Sequence, residues 1–247
     1  MYYLTISEGF RPGLLNRPGG NQNPAGDFTV PYALDTDDVT NFELGVKSDY
    51  LDGSLRFNAA LFFVDIENLQ TTIFDTSITN LFFSDNAADA EVLGLEGDFI
   101  WLPGASSNWT ISGAFSLLNT EITRVITPTQ DVRKGDELAF APEFQGTLRA
   151  RYEWDFGSAG KIGHIMPSAT WSTDSFSDVV VINRDKIDGY FMANITAGIS
   201  DENWSAELYV NNLGDERAEV SRNFVFDRQT VTYVQPRTIG VRLNLDF

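Results

Sequence analysis

The most constraining feature of this sequence is a strict alternation in its last eleven residues, RTIGVRLNLDF. Ile239, Val241, Leu243, Leu245 and Phe247 are apolar, and the residues between them are small or polar. Successive side chains of a β-strand point to opposite faces, so this period of two predicts a strand with one apolar and one polar face. A helix would scatter the same residues around its axis.

The same alternation recurs upstream, for example in Leu55, Phe57, Ala59, Leu61 and Phe63. It predicts about ten strands in the whole chain. The segment 161–171 fits less well than the others because it contains Pro167, and proline is rare inside a sheet.

The connections between these strands alternate in length. The short ones are 51–54, 103–108, 157–160 and 201–203, and the long ones are 9–40, 66–91, 120–142, 173–188 and 214–233. Tight turns at one end and long loops at the other are typical of transmembrane β-barrels. A soluble sandwich or propeller gives no reason for such regularity. We therefore predict an all-β, antiparallel, up-and-down transmembrane β-barrel in the lipid of a bacterial outer membrane.

Large aromatic residues lie beside the short turns, where strands cross the headgroup region of a bilayer. This predicts a membrane girdle formed by Tyr50, Trp101, Trp109, Trp154 and Trp204.

Composition excludes several other classes of protein. The longest purely apolar run, 59–64, is far shorter than the ~20 residues of a membrane-spanning helix. A net charge of −18 would repel a nucleic-acid backbone, so nucleic acid is excluded as a partner. The absence of cysteine excludes disulfides and thiolate metal sites.

A family resemblance rests on motifs spread along the chain: EGFRPG, FELGVKSDYLDGSLRFNAALFFVDIENLQ, AEVLGLEGDF, ELAFAPEF, NNLGDE and PRTIGVRLNLDF. In order and spacing they resemble the C-terminal barrel portion of TonB-dependent receptors. The resemblance implies ten strands of a 22-stranded barrel, with residues 1–247 as its C-terminal part and the N-terminal plug and first strands absent. The terminal strand, Ile239 to Phe247, resembles the signal that the barrel assembly machinery reads.

The resemblance also implies a function, namely energised uptake of a scarce ligand such as a ferric siderophore, cobalamin or oligosaccharide. The TonB complex would act through the missing plug. The reaction is transport, so we expect no enzyme activity, catalytic residue or cofactor. Ligand contacts should come from loop aromatics, and the candidates are Phe28, Tyr32, Phe74, Phe82, Phe83, Phe176, Phe224 and Phe226.

Other polar residues receive structural interpretations. Glu43 and Lys47 should point into the barrel lumen, and Asp65 and Gln70 should flank the exit into a long loop. The element Asn211, Asn212, Gly214 and Asp215 should form a turn whose side chains satisfy backbone groups.

Two alternatives remain open at this point. One is a self-contained ten-stranded porin or adhesin. The other is an omptin-type surface protease, disfavoured because His164 lies beside a short turn and far from the loop end. The loop acids Asp35, Asp37, Asp38, Asp85 and Asp89 lack the spacing of a calcium loop, so no metal site is predicted.

Overall fold

The computed structural model describes residues 1–16, 22–79, 82–104, 108–157, 160–225 and 228–245. These residues form fourteen β-strands and one 3-10 turn, Val181–Asn183, and contain no helix long and apolar enough to cross a membrane. The strands are β1 (Tyr2–Arg11), β2 (Asp37–Tyr50), β3 (Leu55–Ile73), β4 (Phe83–Trp101), β5 (Trp109–Val125), β6 (Phe144–Asp155), β7 (Ile162–Ser172), β8 (Ser175–Phe176), β9 (Lys186–Ile187), β10 (Tyr190–Ser200), β11 (Trp204–Asn211), β12 (Glu219–Val225), β13 (Arg228–Tyr233) and β14 (Thr238–Leu245).

Ten of these strands form one antiparallel sheet in the order β1-β2-β3-β4-β5-β6-β7-β10-β11-β14. Each strand therefore pairs with the next strand of the meander, which confirms the all-β, up-and-down prediction and the count of ten. Within the described residues the sheet is open, with β1 and β14 as its two edges.

The strand register separates an apolar face from a polar one. One row across the sheet runs through Leu243, Ala206, Ile199, Gly163 and Trp154, which are directly paired from strand to strand. The adjacent row consists of Arg242, Glu207, Gly198, His164 and Glu153. A one-residue slip would exchange these rows, so the alternation in the sequence fixes the register.

Glu43 and Lys47 lie on the polar face, as predicted. The Tyr3 hydroxyl donates a hydrogen bond to Glu43 Oε1 over 2.6 Å, and Lys47 Nζ lies 5.4 Å from the centroid of the Tyr3 ring. Both charges thus have partners within the sheet.

Short turns close one end of the sheet and long loops leave the other, as predicted. The 51–54 turn is a tight hairpin in which Leu51 and Asp52 adopt positive φ angles of 54° and 55°, followed by Gly53 at 83°. Positive φ at both central residues suits the twist of paired strands. We call this end the short-turn end and the other the loop end.

The predicted loop boundaries were wrong at the loop end. β3 and β4 each have 19 residues, about twice the membrane-spanning length, so the loop expected at 66–91 comprises only 74–82. Asp65 and Gln70 accordingly lie inside β3 and do not flank a loop. The other long connections are 12–36, 126–143, 173–189 and 212–237.

Two of the long loops contain small hairpins that the sequence pattern did not indicate. β8 pairs with β9 in the 173–189 loop, and β12 pairs with β13 in the 212–237 loop. β8 and β9 have two residues each, too few for a period of two to be recognisable, and β12 (EVSRNFV) lacks a strict alternation of apolar and polar residues.

Pro167 lies inside β7, between β6 and β10, despite the expectation that proline weakens this strand. It pairs with Ile195 of β10. On the β6 side, the register passes from the Arg149–Ser168 pair to the Tyr152–Ile165 pair. The missing proline N–H therefore falls where the β6–β7 ladder is interrupted.

Candidate functional site

The long loops pack together on the extended parts of β3, β4 and β5. Their apolar core is formed by Val30, Ile73, Ile78, Phe83, Ala87, Ala88, Ile122, Val132, Val179 and Val180, with Phe28, Val125, Leu138 and Ala139 packed against it. Ile73, Ala87 and Ile122 are completely buried. The loop end is thus a folded layer with a core of its own, separate from the apolar sheet face.

Buried polar side chains attach the 12–36 loop to this layer. Gln70 of β3 donates to the carbonyl oxygens of Asp35 at 3.0 Å and Pro12 at 3.2 Å. Asn16 donates to Ser84 O at 2.7 Å and accepts from Ser84 N at 2.9 Å. Such hydrogen bonds fix the loop backbone because an unpaired buried group is costly.

Two carboxylates, Asp75 and Asp131, belong to the 74–82 and 126–143 loops respectively. Asp75 accepts hydrogen bonds from Ser77 Oγ at 2.6 Å and Thr129 Oγ1 at 2.7 Å. Burial alone would raise the pKa of Asp75, but these hydrogen bonds outweigh it and lower the pKa. Burial raises the pKa of Asp131, and the nearby charge of Asp75 raises it further. Asp131 Oδ2 is buried without a hydrogen-bond partner among the described residues.

Two arginines, which sequence reasoning missed, join different loops. Arg184 donates to Glu137 O at 2.8 Å and to Asp178 O at 2.9 Å. Arg222 of β12 binds Glu219 through both of its carboxylate oxygens and also binds Asp185 at 2.8 Å. These carboxylates raise the pKa of Arg222. No sequence motif surrounds either arginine, so only the folded loops identify their partners.

The predicted ligand-contact aromatics differ in how far their side chains are exposed. Tyr32 and Phe82 are 55% and 43% exposed, whereas Phe83 is 5% exposed within the loop core. Phe82 also contacts Phe74, with ring centroids 4.6 Å apart. The structure therefore brings Phe74 and Phe82 together at the loop surface and places Phe83 inside.

The remaining candidates are partly covered. The ring of Phe28 lies 6.3 Å from that of Phe83, and the guanidinium carbon of Arg184 lies 3.8 Å from the centroid of Phe176. Phe224 is half-buried in β12. Phe226 lies outside the described residues. Sequence reasoning did not select the exposed loop residue Phe140, because its apolar neighbours in the run LAFAP gave no signal of exposure.

The acidic loop residues have protein partners. Asp37 forms an ion pair with Arg11, Asp89 binds Arg124 Nε at 2.6 Å, and Asp85 accepts a hydrogen bond from Thr127. In the part of the chain that the structure describes, His, Asp and Glu form no group of three that could hold a metal ion.

The predicted girdle residues all lie at the short-turn end and on the apolar face. Tyr50 and Trp101 end β2 and β4, Trp109 and Trp204 begin β5 and β11, and Trp154 lies one residue before the end of β6. In the terminal strand β14, Ile239, Val241, Leu243 and Leu245 are 65–70% exposed on the same face. Phe247 lies outside the described residues.

His164, the only histidine, also lies near the short-turn end but faces the polar side. It is 2% exposed, and its Nε2 lies 3.2 Å from Glu207 Oε1. Gly198 separates the two residues, and a Cβ there would lie 2.8 Å from His164 and 2.9 Å from Glu207. The absence of a side chain at this position allows the contact.

The Asn211–Asp215 element forms the turn that the sequence predicts. Asn212 is 1% exposed, donates to Glu216 O and Gln235 O, and accepts from Glu216 N. Asp215 accepts a hydrogen bond from Arg237 N at 3.0 Å. The Asn211–Asp215 element therefore stabilises the loop backbone and has a structural role.

An amphipathic meander with tight turns at one end and a packed loop layer at the other defines a wall of an outer-membrane barrel. The family model described as "TonB dependent receptor-like, beta-barrel" matches residues 1–213. The chain belongs to this family, whose members are outer-membrane receptors and transporters and not enzymes. The outer-membrane location is thereby confirmed, and the omptin-type alternative is not supported.

The chain spans less than a third of the length of the curated relatives described here. The metal-pseudopaline receptor CntO of Pseudomonas aeruginosa is 27% identical over 240 residues, 94% of this chain and 30% of CntO. The probable TonB-dependent siderophore receptor PiuA of Acinetobacter baumannii is 25% identical over 196 residues, 74% of this chain and 24% of PiuA.

Solved structures show the same fold. The ferric yersiniabactin uptake receptor FyuA from Yersinia pestis superposes with a TM-score of 0.74 at 17% identity, covering 100% of this chain and 35% of FyuA. The crystal structure of the siderophore receptor PiuA from Acinetobacter baumannii superposes with a TM-score of 0.71 at 20% identity. The match covers 98% of this chain and 33% of PiuA.

Proposed function

We propose that this chain forms ten neighbouring strands and the outer loops of a receptor for TonB-dependent uptake of a metal chelate of the siderophore class. The observation that carries the proposal is the packed loop layer, which exposes Tyr32, Phe82 and Phe140 above a family-typical barrel wall. Aromatic side chains in a fixed layer provide rigid contact area at a low cost in conformational entropy. The names of CntO and PiuA as metal-pseudopaline and siderophore receptors support the choice of ligand class.

We further propose that residues 1–247 are the C-terminal part of a 22-stranded barrel and that the first strands and the plug lie outside these residues. The open edges at β1 and β14 support this, because unpaired backbone groups are not tolerated in lipid. The TonB complex would act on the plug. An open ten-stranded sheet does not support the alternative of a self-contained porin or adhesin.

The two remaining membrane roles belong to the same proposal. Tyr50, Trp101, Trp109, Trp154 and Trp204 would lie at the headgroup level of the periplasmic leaflet. The terminal strand, Ile239 to Phe247, would be the segment recognised by the barrel assembly machinery. Deleting Phe247 should then reduce the amount of assembled receptor while leaving ligand affinity unchanged.

The uptake proposal is tested in the receptor that contains this chain. Cells that depend on it for iron are supplied with radiolabelled ferric siderophores and metal–pseudopaline under metal limitation. We expect uptake of one class of chelate, and its loss when TonB is deleted. Uptake that is independent of TonB, or an absence of uptake with every metal chelate, would contradict the proposal.

A further inference from the structure

The apolar sheet face has a depression of about 470 Å³ near the short-turn end. Its walls include Trp154 of β6, Trp204 of β11 and Val241 of β14, and its floor includes Ala197 of β10 and Ala206 of β11. The lining is almost entirely apolar. The depression exists because small side chains on the middle strands lie between large ones on either side.

Gly163 contributes to this shape from β7. A Cβ at Gly163 would lie 2.6 Å from Cε2 of Trp154, so the indole lies flat across the strand at this position. Trp154 therefore forms a low wall along one side of the depression, and the groove is built by specific side chains. His164 and Glu207 also border the depression, but strand alternation assigns their side chains to the polar row on the opposite face of the same strands.

The ammonium group of Lys161 lies beside this groove. Lys161 immediately precedes β7, and its Nζ is 5.7 Å from the centroid of the Trp204 ring, within cation–π distance. Among the described residues Lys161 forms no ion pair with a carboxylate, and Asp155, Asp201 and Glu202 of the neighbouring turns are not its partners. The ammonium group is therefore held at the rim of an apolar groove and is available to an external anion.

We propose that this groove binds one phospholipid of the periplasmic leaflet, with the headgroup phosphate on Lys161 beside Trp204 and an acyl chain running from there over Ala206 and Ala197. The groove opens on the face that contacts lipid, and its end with Trp204 and Lys161 is at headgroup level. Its volume falls within the range of small-molecule sites. A phosphate beside a lysine at the membrane surface supplies the charge complementarity. The site is independent of chelate uptake, because it lies at the opposite end of the sheet from the loops.

Native mass spectrometry of the intact receptor in detergent, supplied with 1-palmitoyl-2-oleoyl-phosphatidylglycerol, tests the proposal. Ala197→Phe fills the groove, and its matched control is Ala193→Phe on the same face of β10. Lys161→Gln removes the cation, and its matched control is Lys134→Gln in the 126–143 loop. Heat-modifiable migration on gels ensures that only folded receptor is compared.

The wild type and both controls should retain one lipid. Lys161→Gln should lower its retention about fivefold, and Ala197→Phe should abolish it. Equal retention in all variants would mean non-specific annular lipid and would overturn the proposal, as would a wild type that retains none. Loss in only one of the two groove variants would also contradict it, because the acyl chain and the phosphate are proposed to bind together.

Discussion

The side-chain amide of Asn212 donates a hydrogen bond to the main-chain oxygen of Gln235 over 3.0 Å, joining the two ends of the last long loop. Asn212 also binds both backbone groups of Glu216 and adopts a φ of 55°. Asparagine tolerates this left-handed conformation better than most residues. One side chain thus closes the loop at the rim of the barrel.

Asn212→Ala should loosen the 212–237 loop while the strands remain paired. The change removes three hydrogen bonds at a buried site, so we expect a loss of about 2 kcal/mol in the local free energy of opening. Hydrogen–deuterium exchange of the loop amides measures it. Asn211→Ala, which changes the exposed neighbouring residue, is the control, and equal exchange in both variants would show that Asn212 does not close the loop.

Phe82 and Phe83 are neighbours in sequence, but Phe82 is exposed at the loop surface and Phe83 is buried in the loop core. Phe83→Ala should destabilise the loop layer by about 3–5 kcal/mol, because it leaves a cavity in the core. Phe82→Ala should leave stability nearly unchanged and should weaken binding of the chelate that the receptor transports. Thermal unfolding and ligand titration of both variants separate these effects. Weakened binding with intact stability in Phe83→Ala would reverse the assignment.

Arg222→Gln should detach the β12–β13 hairpin from the 173–189 loop. The guanidinium group binds Glu219 and Asp185 at a site where its side chain is 24% exposed, so we expect a loss of about 1 kcal/mol in loop stability. Faster hydrogen exchange should appear in both segments. Arg217→Gln changes an exposed arginine of the same loop and should leave exchange unaltered. If exchange rises only within the hairpin, the link to Asp185 carries no stability.

Asp131→Asn should stabilise the loop layer at neutral pH. The folded-state pKa of Asp131 is raised above its ordinary value of 3.8, so its stabilising contribution exists at low pH and is lost as the pH rises through the raised value. The gain from removing the charge should be about 1 kcal/mol at pH 7 and should vanish below the ordinary pKa. Hydrogen exchange of the loop layer across this pH range measures the gain.

The matched control for this pH dependence is Asp188→Asn, whose carboxylate is 90% exposed. Asp188→Asn should leave the stability of the loop layer almost unchanged at every pH in this range. Asp75 acts in the opposite sense, since its pKa is lowered and its stabilising contribution is lost as the pH falls. A gain in Asp131→Asn that is the same at low and neutral pH would contradict the assigned cause.

The sequence pattern failed at particular places for identifiable reasons. It predicted the loop 66–91 where β3 and β4 continue, because loops cover the outer parts of these strands and Ala87 and Ala88 are buried in succession. The ladder also has irregularities between Ile66 and Leu69 and between Asp89 and Ala90, which shift the register. Alternation persists only where one face meets lipid and the other does not.

By itself, the sequence determined the ten strands of the main sheet, their faces, the end with short turns and the family. These follow from local order, since each strand of the meander pairs with its neighbour and a period of two assigns every side chain to a face. Only the tertiary structure decided that Phe83 is buried while Phe82 is exposed, that Arg222 reaches Asp185, and that small residues of three strands form a groove beside Lys161. These contacts join residues that are distant in sequence, and no local period encodes them.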